Sequence, residues 1–226
     1  MTFRFPLSAR LLAVALLAFA GLATAQEAAS SKAVEPEFVE GREYTRLDPP
    51  AQVRSSGNQI EVVEVFGYNC VHCAHFAPFV SQWAKEQKPD VKFDLVPAAF
   101  GGIWDVYARV YYTAVTMGVA DITHDALFKA LHEERIPVKN MEDIANFYAE
   151  HGVDKAQFLS TIDSFPVNDK IADARQRALA YGVDATPTVI VAGKYKVLAP
   201  REGGFPRMLK VIDFLVEKER AANVGK

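Results

Sequence analysis

The segment Ile60-Glu61-Val62-Val63-Glu64-Val65-Phe66-Gly67-Tyr68-Asn69-Cys70-Val71-His72-Cys73 decides how this chain is read. Its first seven residues are rich in β-branched side chains and follow the turn cluster Ser55-Ser56-Gly57-Asn58, so they predict a buried strand. Gly67-Tyr68-Asn69 ends it. From Cys70 to Gln87 the apolar positions Val71, Phe76, Phe79, Val80 and Trp83 fall at helical spacings, and Lys88-Pro89-Asp90 closes the run. The chain has two cysteines, and both stand where a helix leaves the end of a buried strand.

That position has chemical consequences. At a helix start, Cys70 faces unpaired backbone N–H groups and the positive end of the helix dipole, while Cys73 lies one turn further on, within bridging reach. Both effects favour the Cys70 thiolate, and a protonated or hydrogen-bonding His72 would favour it further. A stabilised thiolate means a stabilised dithiol, so the disulfide is readily given away. A c-type haem site needs a histidine directly after the second cysteine, and position 74 is alanine. Cys70, Cys73, His72 and His75 are too close along one helical turn to converge on a tetrahedral zinc ion. An inert structural disulfide between them closes so small a loop that it stabilises little.

Working outward, Val91 to Val96 alternates apolar and polar residues like a half-buried strand, and Tyr44 to Leu47 fits a short one. Between Gly101-Gly102 and Phe165 the strand signal disappears. Four helical stretches follow there, at 104–117, 124–132, 141–150 and 155–163, with Trp104, Tyr107, Tyr111 and Tyr112 read as core aromatics. A further helix is expected at 169–181, leading into Val183-Asp184-Ala185-Thr186-Pro187. Strands at 188–191 and 195–198 flank the hairpin signal Ala192-Gly193-Lys194, and a last helix spans 205–220.

The N-terminus carries a targeting pattern. Arg4 and Arg10 precede the apolar stretch Leu11 to Ala20, which is shorter than a membrane span, and Ala23-Thr24-Ala25 supplies small residues for cleavage after Ala25. The mature chain would begin at Gln26 with a mobile leader over residues 26–40. The full chain has 226 residues, 50% hydrophobic and 23% charged, which is the composition of a globular protein with a real core. Its net charge of −3, without long runs of one sign, argues against a nucleic-acid surface. A lone cysteine pair in an exported chain points to a pair that does chemistry.

Across essentially the whole mature chain, these residues resemble the DsbA-type thiol:disulfide oxidoreductases of the periplasm of Gram-negative bacteria. The resemblance rests on the segment from Glu64 to Cys73, the helical insert and Ala185-Thr186-Pro187 at the head of a strand. It implies an α/β thioredoxin fold with an inserted α-helical subdomain: a first half over 41–100, the insert over 101–165 and a second half over 166–226. Cys70 would be the exposed nucleophile and Cys73 the resolving cysteine. Thr186-Pro187 would be a cis bond against the disulfide, forming part of the substrate-binding surface. Two positions depart from the best-known members: Val71 stands where they have proline, and Thr186 where they commonly have valine.

Glu64 stands in the middle of an apolar strand, where an ionised carboxylate is costly without a partner, and it matches the family's buried acid. Burial raises its pKa and lets it relay a proton to or from Cys73, probed against the alternative that it reaches solvent at a sheet edge. His75 is read as a surface residue, and His124, His132 and His151 as surface or capping residues. The expected function is an exported, monomeric disulfide oxidase. It donates the Cys70–Cys73 disulfide to unfolded exported proteins, uses no cofactor beyond that pair, and is reoxidised by a DsbB-type inner-membrane partner. A periplasmic reductase or isomerase uses the same residues, and a non-enzymatic holdase would bind substrate without either cysteine.

Overall fold

The computed structural model describes residues 38–200 and 202–223. The expected export signal, its cleavage site and nearly all of the leader lie outside them. Five strands form one mixed sheet: β1 (Tyr44–Arg46), β2 (Ile60–Phe66), β3 (Val91–Pro97), β4 (Thr188–Val191) and β5 (Tyr195–Val197), in the order β1-β5-β4-β2-β3. β2 is central. It pairs in parallel with β3, Ile60 opposite Val91, and antiparallel with β4, Val63 opposite Ile190. All seven residues of β2 are buried, as expected of a strand covered on both faces. Helix α1 (Val71–Glu86) makes the crossover from β2 to β3.

Side chains alternate across the sheet, so β2 feeds two cores. Ile60 and Val62 pack with Phe76, Val80 and Trp83 of α1 and with Met208, Ile212 and Leu215 of α7 (Gly204–Asn223). Val63 and Val65 face the opposite cluster. That cluster is supplied by α2 (Ile103–Thr116), α3 (Ala120–His132), α4 (Met141–Glu150), α5 (Lys155–Thr161) and α6 (Phe165–Ala180). Tyr107, Tyr111 and Tyr112 are buried there as expected, while Trp104 is half-buried. Helices α2 to α6 thus cover one face of the sheet, and α1 and α7 cover the other.

The β4–β5 hairpin turns where the sequence places it. Ala192 (φ 53°) and Gly193 (φ 63°) both adopt positive φ, and the Lys194 N–H donates to the Val191 carbonyl at 2.9 Å. Gly193 is also required by space, because a Cβ there would lie 2.4 Å from the Ala51 carbonyl oxygen.

Two helix starts differ from expectation. α6 begins at Phe165 rather than Asp169, with Ser164 in extended backbone before it and Pro166 in its first turn, where a missing N–H costs nothing. α3 begins at Ala120 rather than His124. Its cap residue Val119 makes no side-chain hydrogen bond, so no capping residue marks the boundary in the sequence.

Candidate active site

The end of β2 turns sharply into α1. The Cys70 N–H donates to the Gly67 carbonyl at 3.0 Å, closing a turn over Gly67-Tyr68-Asn69-Cys70. Glycine is needed at position 67 because a Cβ there would stand 2.3 Å from the ring carbon Cζ3 of Trp104, which lies across the turn. Cys70 then caps α1 in extended backbone (φ −100°, ψ 113°), and its Sγ accepts from the Cys73 N–H at 3.4 Å. A cysteine sulfur thus occupies the place that a serine or aspartate oxygen takes in other helices, and it receives the helix's first free N–H groups.

The two thiols are strongly unlike. Both are unbridged, Cys70 half-buried and Cys73 fully buried. Cys70 is pulled down to about 5, chiefly by a hydrogen bond from the Cys73 thiol. Its partial burial opposes this, while the Thr186 side chain and the backbone N–H groups of Cys73 and His72 add to it. Cys73 is pushed far above the ordinary thiol range by burial, by its bond to Cys70 and by the negative charges of Glu64 and Cys70. At neutral pH the reduced pair therefore carries its charge on the sulfur that solvent reaches.

Thr186 and Pro187 come to this pair from 116 residues away. Their peptide bond is cis, and when Cys70 is protonated its Sγ–H donates to the Thr186 carbonyl at 3.4 Å. Thr186 is half-buried and its side chain lowers both thiols. His72 and Val71 are exposed on the first turn of α1, Val71 at 45%. Among the described residues the His72 ring makes no hydrogen bond to Cys70; its backbone N–H is what stabilises the thiolate.

β2 holds two buried acids with opposite fates. Glu61 faces the Arg177 guanidinium, which donates to it at 3.2 Å and to Asp94 at 2.7 Å. Glu64 faces the other side, toward α1, and its carboxyl makes no hydrogen bond within the described residues. Burial pushes it up to about 8, with the negative charges of Cys70 and Asp125 adding to the rise. Glu64 is therefore not at a sheet edge, being 2% exposed between Leu95 of β3 and Val189 of β4. Near neutral pH it is a protonated acid, near enough to Cys73 that its charge, when ionised, raises that thiol, whereas Glu61 is a structural ion pair.

The structure corrects the reading of two histidines. His124 is not a surface residue: it is 8% exposed, and its Nδ1 lies 2.9 Å from the Tyr68 hydroxyl. Burial lowers its pKa to about 4, so the ring is neutral at neutral pH. His132 ends α3 half-buried, with Nε2 2.7 Å from the Tyr68 carbonyl oxygen. Their partner lies more than fifty residues earlier in the chain, so no local pattern reveals these contacts. His151 does cap α4, through Nδ1 to the Phe147 carbonyl at 2.8 Å, and His75 is exposed. Among the described residues no group of three or more His, Cys, Asp and Glu side chains is placed to hold a metal ion.

Comparison with known proteins agrees with this geometry. Residues 104–204 match the family model of the DSBA-like thioredoxin domain. The thiol:disulfide interchange protein DsbA of Pseudomonas aeruginosa is 42% identical over 186 residues, spanning 82% of this chain and 88% of that protein. Its counterpart from Azotobacter vinelandii is 39% identical over 182 residues, 80% of this chain and 85% of the relative. Among solved structures, the oxidoreductase DsbA of Xylella fastidiosa superposes with a TM-score of 0.77 at 40% identity, over 81% of this chain and 98% of that one. P. aeruginosa DsbA gives 0.76 at 42% identity, over 82% and 96%. With this likeness extending over most of both chains, this protein belongs to the DsbA family and is a DsbA-type thiol:disulfide oxidoreductase.

Proposed function

We propose that this chain is an exported disulfide donor that oxidises newly translocated proteins in the periplasm of a Gram-negative bacterium. The carrying observation is the asymmetry of the pair: a half-exposed, strongly acidic Cys70 above a buried, weakly acidic Cys73.

In the oxidised enzyme, a thiolate of an unfolded substrate attacks Cys70 Sγ. The Cys70–Cys73 bond breaks, its electron pair goes to Cys73 Sγ, and that sulfur takes up a proton. Glu64, protonated at neutral pH and near enough to Cys73 to influence that thiol, is the proposed proton source, directly or through a water. A second substrate thiolate then attacks the substrate sulfur of the mixed disulfide. Cys70 leaves as the thiolate, which Cys73, Thr186 and the helix N–H groups stabilise. Two substrate thiols become one disulfide, and the enzyme disulfide becomes a dithiol.

Thr186 and Pro187 are the proposed seat for an extended substrate segment, because Pro187 presents no N–H of its own and the Thr186 carbonyl reaches Cys70. A DsbB-type inner-membrane partner would return the enzyme to its disulfide form through the same two cysteines. The sequence pattern of residues 1–25 supports export, and the protein is read as a monomer without a separate cofactor.

The test is stoichiometric. Oxidised protein mixed with a reduced, unfolded dithiol polypeptide forms one substrate disulfide for each enzyme dithiol produced, and Cys70→Ser abolishes the transfer. Polypeptide binding that persists without either cysteine, with no transfer by the wild type, would instead identify a holdase.

A further inference from the structure

Tyr68 is gripped from both ends by one helix. Its hydroxyl meets His124 Nδ1 at 2.9 Å, its carbonyl oxygen meets His132 Nε2 at 2.7 Å, and its ring packs on Phe128 with centroids 4.9 Å apart. His124, Phe128 and His132 are spaced at i, i+4 and i+8, so one face of α3 carries all three contacts. A backbone carbonyl only accepts, so His132 must carry its proton on Nε2 and donate. The Tyr68–Asn69 peptide receiving that bond is the central peptide of the turn that ends in Cys70. In a four-residue turn this unit has the most freedom to rotate, since rotation interchanges the common turn types while the end residues stay close.

We propose that His132 is a positioning residue for the nucleophile: by holding the Tyr68 carbonyl, it fixes the turn that aims Cys70 Sγ at the first N–H groups of α1. The helical insert thereby does more than cover the sheet. Its second helix, α3, sets the geometry of a cysteine outside the insert. Sγ accepts from the Cys73 N–H at 3.4 Å, a long contact that small changes in the turn lengthen or shorten. His124 and Phe128 hold the Tyr68 side chain, and the His132 bond orients the backbone itself. This inference rests on the reading of Cys70 as the ionised nucleophile.

The experiment compares His132→Leu, which fills the space without a donor, with His132→Gln, whose amide nitrogen reaches about as far as Nε2. The Cys70 pKa is followed by thiolate absorbance and by the pH dependence of alkylation. His132→Leu is expected to raise the Cys70 pKa by about one unit, slowing alkylation at pH 5 about fivefold. His132→Gln is expected to restore the wild-type value. An unchanged pKa in a folded His132→Leu protein overturns the proposal, as does an equal rise in both variants, which would assign the effect to the ring and not to its N–H. If His132→Leu does not fold, His132→Asn, whose shorter amide misses the carbonyl, takes its place beside His132→Gln. A wild-type Cys70 with an ordinary thiol pKa would instead remove the reading of Cys70 itself, before His132 is in question.

Discussion

The stability of the reduced protein should depend on pH in a way that the oxidised protein does not share. Cys70 falls from an ordinary thiol value of 9.0 to about 5 in the folded dithiol. At pH 7 it is ionised when folded and protonated when unfolded; pH 7 lies two units above the folded value, which corresponds to about 2.7 kcal/mol at 1.36 kcal/mol per unit. Because Cys70 is partly exposed and solvent screens its interactions, about 2 kcal/mol is the expected share. The sign follows from the lowered pKa. The stabilisation is absent below pH 5, grows between pH 5 and 9 and is complete above 9.

Cys73, displaced upward, contributes only above its unfolded value and leaves this window untouched. Glu64, raised to about 8, makes the folded protein less stable as pH rises from 4.5 to 8. Its main cause is burial, which both redox forms share, so that trend largely cancels in their difference. Guanidinium unfolding of the oxidised and reduced proteins at pH 5, 6, 7 and 8 isolates the Cys70 effect. The reduced form should gain on the oxidised form by about 1 kcal/mol per pH unit, and Cys70→Ser, which forms no disulfide and carries no thiolate at position 70, should follow the pH trend of the oxidised form. A difference that stays flat from pH 5 to 8 would refute the assignment of the thiolate to Cys70.

Other consequences can be checked separately. Glu64→Gln removes the cost of keeping a carboxyl protonated, so its stability relative to wild type should be about 3 kcal/mol higher at pH 7 than at pH 4; a pH-independent difference contradicts the raised value of Glu64. Thr186→Val should raise the Cys70 pKa and make the couple less oxidising, seen by thiolate absorbance, whereas an unchanged pKa means the hydroxyl plays no part. Gly67→Ala places a methyl against the Trp104 ring and should destabilise the fold by about 1–3 kcal/mol, with a shift in tryptophan emission; a neutral result would show that Trp104 gives way freely.

Much of the fold was legible because its signals are local. A strand rich in β-branched residues, a turn, two cysteines at a helix start and a glycine hairpin each lie within a dozen residues. The candidate site also has local marks: Cys70 and Cys73 stand out as the pair of cysteines at a helix start, and Thr186-Pro187 opens a strand. What escaped depends on partners far away in sequence. Glu61 and Glu64 look alike in the strand, and only Arg177, 116 residues beyond Glu61, makes one an ion pair and leaves the other a raised acid. His124 and His132 lie on a helix with polar neighbours, and nothing nearby reveals that Tyr68 lies beneath it. The early start of α6 had a signal in Pro166 after Ser164, whereas α3 starts without a capping side chain.

The reduction potential of the Cys70–Cys73 couple tests the central claim most directly. Equilibration with glutathione buffers, followed by the fluorescence of Trp83 and Trp104, gives the value. The account predicts an oxidising couple near −120 mV, the known figure for a DsbA, because the dithiol is stabilised through the Cys70 thiolate. A value near −270 mV, that of thioredoxin, would contradict it and make the protein a reductase that needs an electron donor.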